Sequence, residues 1–377
     1  MFRRILTFVV LMVALTPVAR AQDTTLVDQT LFLTYIPNVQ FAPVYVGLEK
    51  GYYADAGIRL NIQHGDENVG VDLIAAGQLQ FGVVSGEEVI KARANARPVY
   101  FVYEWFQKYP VGIVVSAEAG INSVKDLAGR TVGLPGRFGA SYNGLTALLA
   151  ANNMKETDIQ LEEIGYNAPD VFCLGKVDAA VVYVNNEPLQ IQQRADQGQC
   201  GSVKQVKVLP VSDAADLVSN GLVTNEDTVA KNPDLVRGMV AAFDKGLRDA
   251  INNPAEAYLL SAPHVDGLPL PENFKAALEG AAADQTKFLA TKPDRTAVAD
   301  SRAALLKTLQ AGNYDADAMT QFQVLLNTVD LWDADRLGYS DLSSWEITQK
   351  TLQSMDFVSK PIDLKVAFTN DFLPAEK

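Results

Sequence analysis

The chain has 377 residues, more than one hydrophobic core usually supports, so two domains are expected. A formal net charge of −13 leaves no basic face for a phosphate backbone and excludes nucleic acid as a partner. With 2 histidines and 2 cysteines, a dedicated soft-metal cluster is excluded as well.

Arg3 and Arg4 precede an apolar run over residues 5–15, and Pro17 breaks it. Ala19-Arg20-Ala21 then places small residues at the minus-three and minus-one positions of a cleavage site. The pattern predicts a signal peptide over 1–21, a mature chain starting at Gln22 and a periplasmic location. The run is too short to span a bilayer, which takes roughly 20 residues.

Beyond it, strands and helices alternate. "TLFLTY" reads as a strand, "APVYVGLEKGYYADAG" as one helix ended by Gly57, "IRLNIQH" as a strand, "NVGVDLIAAGQ" as a helix and "LQFGVVS" as a third strand. The helix "GEEVIKARANAR" and the strand "PVYFVYEW" follow. This order specifies a parallel sheet with helices on both faces. A second series with the same grammar starts near Gly112: "GIVVSA", "SVKDLAG", "RTVGLP", "SYNGLTALLAANN", "IQLEEIGY", "APDVFCLGK" and "VDAAVVYV". One more helix after Pro188 and the strand "VKQVKVLPV" lead out, and from about Pro233 the text is largely helical. Cys173 and Cys200 admit a bridge in an oxidising compartment without requiring one.

Several phrases carry a resemblance: "YIPNVQFAPVYVGLEKGYYADAGI", "AAGQLQFGVVSGEEVIKARANARPV", "SVKDLAGRTVGLPG", "GKVDAAVVYVNNEP", "WEITQKTLQSMDFVSKPID" and "FTNDFLP". Together they resemble the extracytoplasmic solute-binding proteins of ABC importers. Within them the chain is similar to the branch of receptors for thiamine-precursor pyrimidines and for riboflavin, which also holds the eukaryotic-type pyrimidine synthase. The resemblance implies a two-lobed, type II periplasmic-binding-protein fold of class α/β, each lobe a mainly parallel sheet flanked by helices, with a helical C-terminal region. Lobe 1 would hold residues 22–111 and a return segment 209–330; lobe 2 would hold 112–208, and 331–377 would pack on the lobes. Crossings would fall near 108–112 and 206–211. The resemblance further implies a monomer without cofactor, partnered by a membrane permease and a cytoplasmic ATPase.

In open α/β sheets, ligands sit beyond the carboxyl ends of the strands, so each strand-to-helix junction is a candidate contact. The junctions are "YIPNVQ", "HGDENV", "SGEE", "EWFQK", "PGRFGASY", "GYNAPD" and "YVNNE", rich in amides, tyrosines and carboxylates. They supply the candidate ligand-binding residues Tyr35, Asn38, Gln40, His64, Glu67, Ser85, Glu87, Trp105, Gln107, Phe138, Ser141, Tyr142, Tyr166, Asn167, Tyr183, Asn185 and Glu187. Tyr35, Trp105, Tyr142, Tyr166 and Tyr183 suit a planar ligand, since aromatic pairs add about 0.5–1.5 kcal/mol beyond area burial.

Plainer roles stand beside these. Ser85 followed by Glu88 reads equally as a capping box that satisfies helix donors. Gly133, Gly136 and Gly139 either shape backbone or offer amides to an anion or polar substituent. His64 has three readings: a titrating group, a ligand contact, or a partner for a loop carbonyl; His264 reads as a surface-loop residue.

No GxSxG elbow and no HExxH zinc pair is present. Glu162 and Glu163, adjacent on a strand, point to opposite faces and cannot share a substrate. In the synthase relatives a protein histidine supplies atoms to the product and a cysteine-rich segment serves iron chemistry. This chain has no cysteine cluster and carries an export pattern, so binding without catalysis is expected.

Asn185, Asn186 and Glu187 end the last strand of the second series, and Pro188 opens a helix. Glu187 can accept from ring N–H groups, and an asparagine amide reads both signs at a heterocycle's edge. The expected ligand is a flat nitrogen heterocycle: riboflavin first, because "YIPNVQFAPVYV" resembles the flavin-receptor branch, and a thiamine-precursor pyrimidine second. Asn38, Gln40, Asp66 and Asn167 are candidates for ribityl hydroxyls. An anionic ligand would want arginine, and Arg137 is the candidate for that.

Overall fold

The computed structural model describes residues 26–375, so the expected signal peptide and its cleavage site lie outside the described residues. Among the described residues ten strands run in chain order: β1 Val27–Leu33, β2 Ile58–His64, β3 Phe81–Ser85, β4 Val99–Glu104, β5 Val111–Ser116, β6 Thr131–Leu134, β7 Gln160–Glu163, β8 Ala179–Tyr183, β9 Val206–Pro210 and β10 Asn220–Asn225. They form two five-stranded sheets, β2-β1-β3-β10-β4 in lobe 1 and β7-β6-β8-β5-β9 in lobe 2. Helices flank both, giving the expected α/β class.

Each sheet contains one reversed strand. β10 pairs antiparallel with β3 and β4, and β5 pairs antiparallel with β8 and β9, whereas β2-β1-β3 and β7-β6-β8 are parallel. The crossings explain it. A chain leaving the carboxyl end of β4 enters the second sheet from the side facing the first, so β5 must run away from that side; β10 repeats this on the return. Because β9 belongs to the second sheet, that sheet extends to Pro210, two residues past the expected end of lobe 2 at 208, and the chain leaves it at the far end of the expected crossing region 206–211.

β10 is a strand that the periodicity did not predict. All six of its residues are buried, so no polar face alternates with an apolar one, and amides stand at both its ends. A second departure is the expected single helix over "APVYVGLEKGYYADAG", which forms two, Ala42–Glu49 and Tyr52–Asp55. Gly51 between them adopts a left-handed φ of 74°, which breaks the helical run.

Local packing aims the start of helix Glu67–Ala75 at the space between the lobes. The Phe32 ring of β1 seats beneath it, and a Cβ at Gly65 or Gly70 would stand 2.7 or 2.6 Å from that ring. Only glycine lets helix and sheet approach so closely. On the opposite face of the sheet, Ala42–Glu49 packs against the long helix Pro233–Asn252 around Tyr45, Val240, Phe243 and Leu247. The C-terminal helix Leu342–Ser354 lies on Gly86–Ala94 of lobe 1 and also reaches Gly139–Ala151 of lobe 2. It is anchored by Trp345, which stacks on Phe368 at 4.7 Å. Cys173 and Cys200 are bridged, tying Ala168–Cys173 to the turn after Glu187–Asp196. No described helix is long and apolar enough to cross a membrane.

Candidate functional site

The carboxyl ends of the two sheets face each other across a cleft of about 740 Å³, part of it open to solvent. Tyr35, Gln40, Phe41, Glu67, Val83, Trp105, Phe106 and Asn220 line it from lobe 1; Pro135, Phe138, Ser141, Tyr166, Tyr183 and Glu187 line it from lobe 2. Its aromatic lining with a few convergent polar groups is the character of sites for small organic ligands.

Glu187 opens helix Glu187–Asp196, and its carboxylate takes Tyr35 Oη–H at 3.0 Å and Tyr183 N–H at 2.9 Å. Burial pushes the Glu187 carboxyl above the usual carboxylate range, and burial next to Glu187 raises the Tyr35 phenol well above its ordinary value. Tyr35 meets Tyr166 edge-on at 4.8 Å, and Tyr166 donates to Asp66 Oδ1 at 3.0 Å. Trp105 lies within an aromatic stack with Trp332 at 5.5 Å and Phe41 at 5.9 Å. Its buried indole N–H has no protein partner among the described residues. A buried donor of that kind is costly unless something accepts from it.

The lobes already touch at several polar points. Asn185 Nδ2 donates to Gln40 Oε1 at 2.6 Å and to Thr328 Oγ1 at 2.7 Å, and Tyr183 Oη–H donates to Asn220 Oδ1 at 2.8 Å. Glu67 accepts from Ser85 N–H at 2.6 Å on its own lobe and from Ala140 N–H at 3.0 Å on the other. Tyr109 donates to Ala140 O at 2.9 Å and also contacts Glu87, whose carboxyl burial lifts to about 8.

Of the residues expected at the site, Tyr35, Gln40, Glu67, Trp105, Phe138, Ser141, Tyr166, Tyr183 and Glu187 line the cleft. The others do not, each for a local reason. Asn38 spends its side chain on Gln40 N–H at 3.0 Å to start the turn Val39–Phe41, and Asn167 precedes helix Ala168–Cys173; both face an outer groove. His64 Nδ1–H donates to Tyr35 O at 2.9 Å, the loop-carbonyl reading, and burial lowers its pKa. Ser85 gives its backbone N–H to Glu67, and Glu87 lies against Tyr109. Gln107 donates to Glu104 O at 2.9 Å. Tyr142 donates to Glu156 Oε2 at 2.8 Å and stacks on Phe357 at 5.7 Å. Asn185 ties the lobes together.

The capping box at Ser85 is absent, because Glu88 reaches to Gly139 N–H at 3.2 Å and Asn143 Nδ2 at 2.9 Å instead of back to its own helix start. Arg137, the candidate for an anion, is held by Glu156 and Glu163. His264 sits in a short helical turn, stacked 4.9 Å from Tyr45 and bonded to Glu49 at 2.8 Å. Phe41, Phe106 and Asn220 line the cleft without having been singled out: the first two follow a capped turn and a strand end, and Asn220 starts the unpredicted strand β10.

A family model described as NMT1/THI5 like matches residues 38–257. The chain is 33% identical over 366 residues to "Riboflavin-binding protein RibY" of Chloroflexus aurantiacus, covering 95% of this chain and 89% of that protein. It is 26% identical to a 4-amino-5-hydroxymethyl-2-methylpyrimidine phosphate synthase of Legionella pneumophila, covering 61% of this chain and 72% of that one. Among solved structures it superposes on a putative periplasmic sulfonate-binding protein of an ABC transporter from Methylobacillus flagellatus. The TM-score is 0.56 at 15% identity, over 92% of this chain and 93% of that one, a likeness of fold.

Proposed function

Because this chain belongs to the NMT1/THI5-like family, we propose that it is an extracytoplasmic solute-binding receptor of an ABC importer with a flat nitrogen heterocycle as ligand, riboflavin first. The observation that carries the reading is the conjunction, in one cleft between lobes, of facing aromatics with a buried carboxylate at Glu187 and an unpartnered donor at Trp105. The ring system of riboflavin has an N–H flanked by two carbonyls. Glu187 accepts the N–H, the Trp105 indole donates to a carbonyl, and Tyr35, Phe41, Phe138 and Tyr166 cover the faces.

Closure is the working step. Contacts from both lobes give a ligand higher affinity for the closed state than for the open one, which is what shifts the population, and a permease can then recognise the closed form. The receptor is exported, acts as a monomer and releases its ligand unaltered. A thiamine-precursor pyrimidine is the second reading, favoured by the likeness to the Legionella pneumophila synthase. A catalytic role as such a synthase is the third. The bridge between Cys173 and Cys200 leaves no described thiol for iron chemistry, which weighs against it.

Titrating riboflavin and 4-amino-5-hydroxymethyl-2-methylpyrimidine into the purified mature chain separates the readings. Flavin fluorescence is expected to be quenched by the aromatic walls at micromolar concentrations, with the ligand recovered unchanged. Stabilisation by the pyrimidine alone would reassign the ligand and keep the receptor class.

A further inference from the structure

A helix amino terminus facing a cleft is an anion seat, because its first N–H groups have no partner within the helix and its dipole favours negative charge. Helix Gly139–Ala151 opens in this way at the cleft, after a glycine turn with Gly139 at φ 65°. That seat is filled by the chain itself. Glu88 of lobe 1 accepts from Gly139 N–H at 3.2 Å, and Glu67 of lobe 1 accepts from Ala140 N–H at 3.0 Å. Both carboxylates are buried and held in place: Glu67 by Ser85 N–H at 2.6 Å, Glu88 by Asn143 Nδ2 at 2.9 Å and Lys91 Nζ at 2.7 Å.

Lys91 is the cation that meets them, and it is spent on Glu88. Among the described residues lining the cleft and its outer groove, Arg194 is the one lysine or arginine, and it pairs with Asp170. Arg137, in the glycine turn, is taken up by Glu156 and Glu163. Asp266, Asp315 and Asp317 add negative charge along the groove. Burial first, and the charge of Glu88 second, already push the Glu67 carboxyl upward, so these surroundings resist the negative charge they hold.

We infer that Glu67 and Glu88 determine specificity by ligand charge: they occupy the anion seat of helix Gly139–Ala151, so the cleft accepts an uncharged ring and rejects a phosphorylated or sulfonated ligand. The identity of the ring rests on the receptor reading above; the charge rule does not.

Riboflavin, riboflavin 5′-phosphate and ethanesulfonate are titrated into the full mature chain at fixed ionic strength. Fluorescence reads the two flavins, and melting temperature reads all three. Riboflavin is expected to bind about a hundredfold more tightly than its phosphate, the size of a like-charge penalty in a closed site. Ethanesulfonate is expected to leave the melting temperature unmoved. The double variant Glu67→Ala/Glu88→Ala frees two N–H groups and Lys91, so it is expected to lose about tenfold of that preference and to gain a shift with ethanesulfonate. If the double variant does not fold, Glu88→Gln, which keeps an oxygen for Gly139 N–H, is expected to change in the same direction to a smaller extent.

Equal affinity of the unaltered chain for the two flavins, or its stabilisation by ethanesulfonate, overturns the charge rule and leaves the receptor reading standing. If neither flavin binds, the flavin reading falls. The ethanesulfonate measurements on the unaltered chain and its variants then decide the charge rule by themselves.

Discussion

The inner cleft and the outer groove are lined by the same two lobes and meet at Tyr35, Tyr166 and Glu187, but they offer a ligand opposite surroundings. Inside, Phe41, Trp105, Phe106 and Phe138 keep water away, and a polar atom buried among them must find a protein or ligand partner. The groove is about 1800 Å³ including open solvent, and Asn38, Asn167, Gln190, Gln193 and Asp266 along it stay within reach of water. A hydrogen bond to a ligand there replaces one to water at little net gain. The contrast teaches that affinity and selectivity belong to the cleft, while the groove accommodates whatever tail the ring carries.

The largest expected effect comes from the wall of the cleft. Trp105 is fully buried against Phe41, Phe106, Phe243 and Trp332, so Trp105→Ala is expected to cost about 3–5 kcal/mol of folding stability as well as binding, measured by chemical denaturation. Next is Glu187→Gln, which keeps an oxygen for Tyr35 but removes the ionisable acceptor. Calorimetry is expected to show riboflavin affinity weakened by about 1.5–3 kcal/mol, with the fold retained, since a buried charge has been taken away.

Titration of the buried carboxyls sharpens the same contrast. Burial lifts Glu87, behind the cleft, and Glu104, at the end of β4, from 4.5 to about 8. Between those values the folded chain holds protons that the unfolded chain has released, so stability falls as pH rises from about 4.5 to about 8. The melting temperature is expected to drop across that window, and Glu87→Gln and Glu104→Gln are each expected to flatten the drop. Substitutions that leave the pH dependence of the melting temperature unchanged would show that these carboxyls are ionised throughout. The smallest effect is expected in the groove, where Asn167→Ala should change riboflavin affinity by less than about 1 kcal/mol by the same calorimetry. A loss there as large as that of Glu187→Gln would move the centre of recognition outward.

Much of the scaffold was legible because each lobe repeats one grammar of buried strand, turn and amphipathic helix. Strand ends such as Tyr35, Trp105, Tyr166 and Tyr183 could be found from periodicity alone, since the turn residues that end a strand also aim its last side chains at the cleft. What sequence could not supply was partnership. Gln40 and Asn185 both carry amides suited to a ligand, and they bond to each other across the lobes. Glu88 sits three residues after a serine, yet the opposite lobe offers it Gly139 N–H and Asn143, and those long-range partners win over the local cap. β10 escaped detection for a related reason: a strand buried on both faces loses the alternation that reveals half-buried ones.

The most direct measurement is a crystal structure of the mature chain grown with riboflavin. The intact ring system is expected between the lobes, against Tyr35, Trp105 and Tyr166, with its N–H on Glu187. An empty cleft with the flavin seated elsewhere, or a chemically altered ligand within it, would overturn the receptor reading.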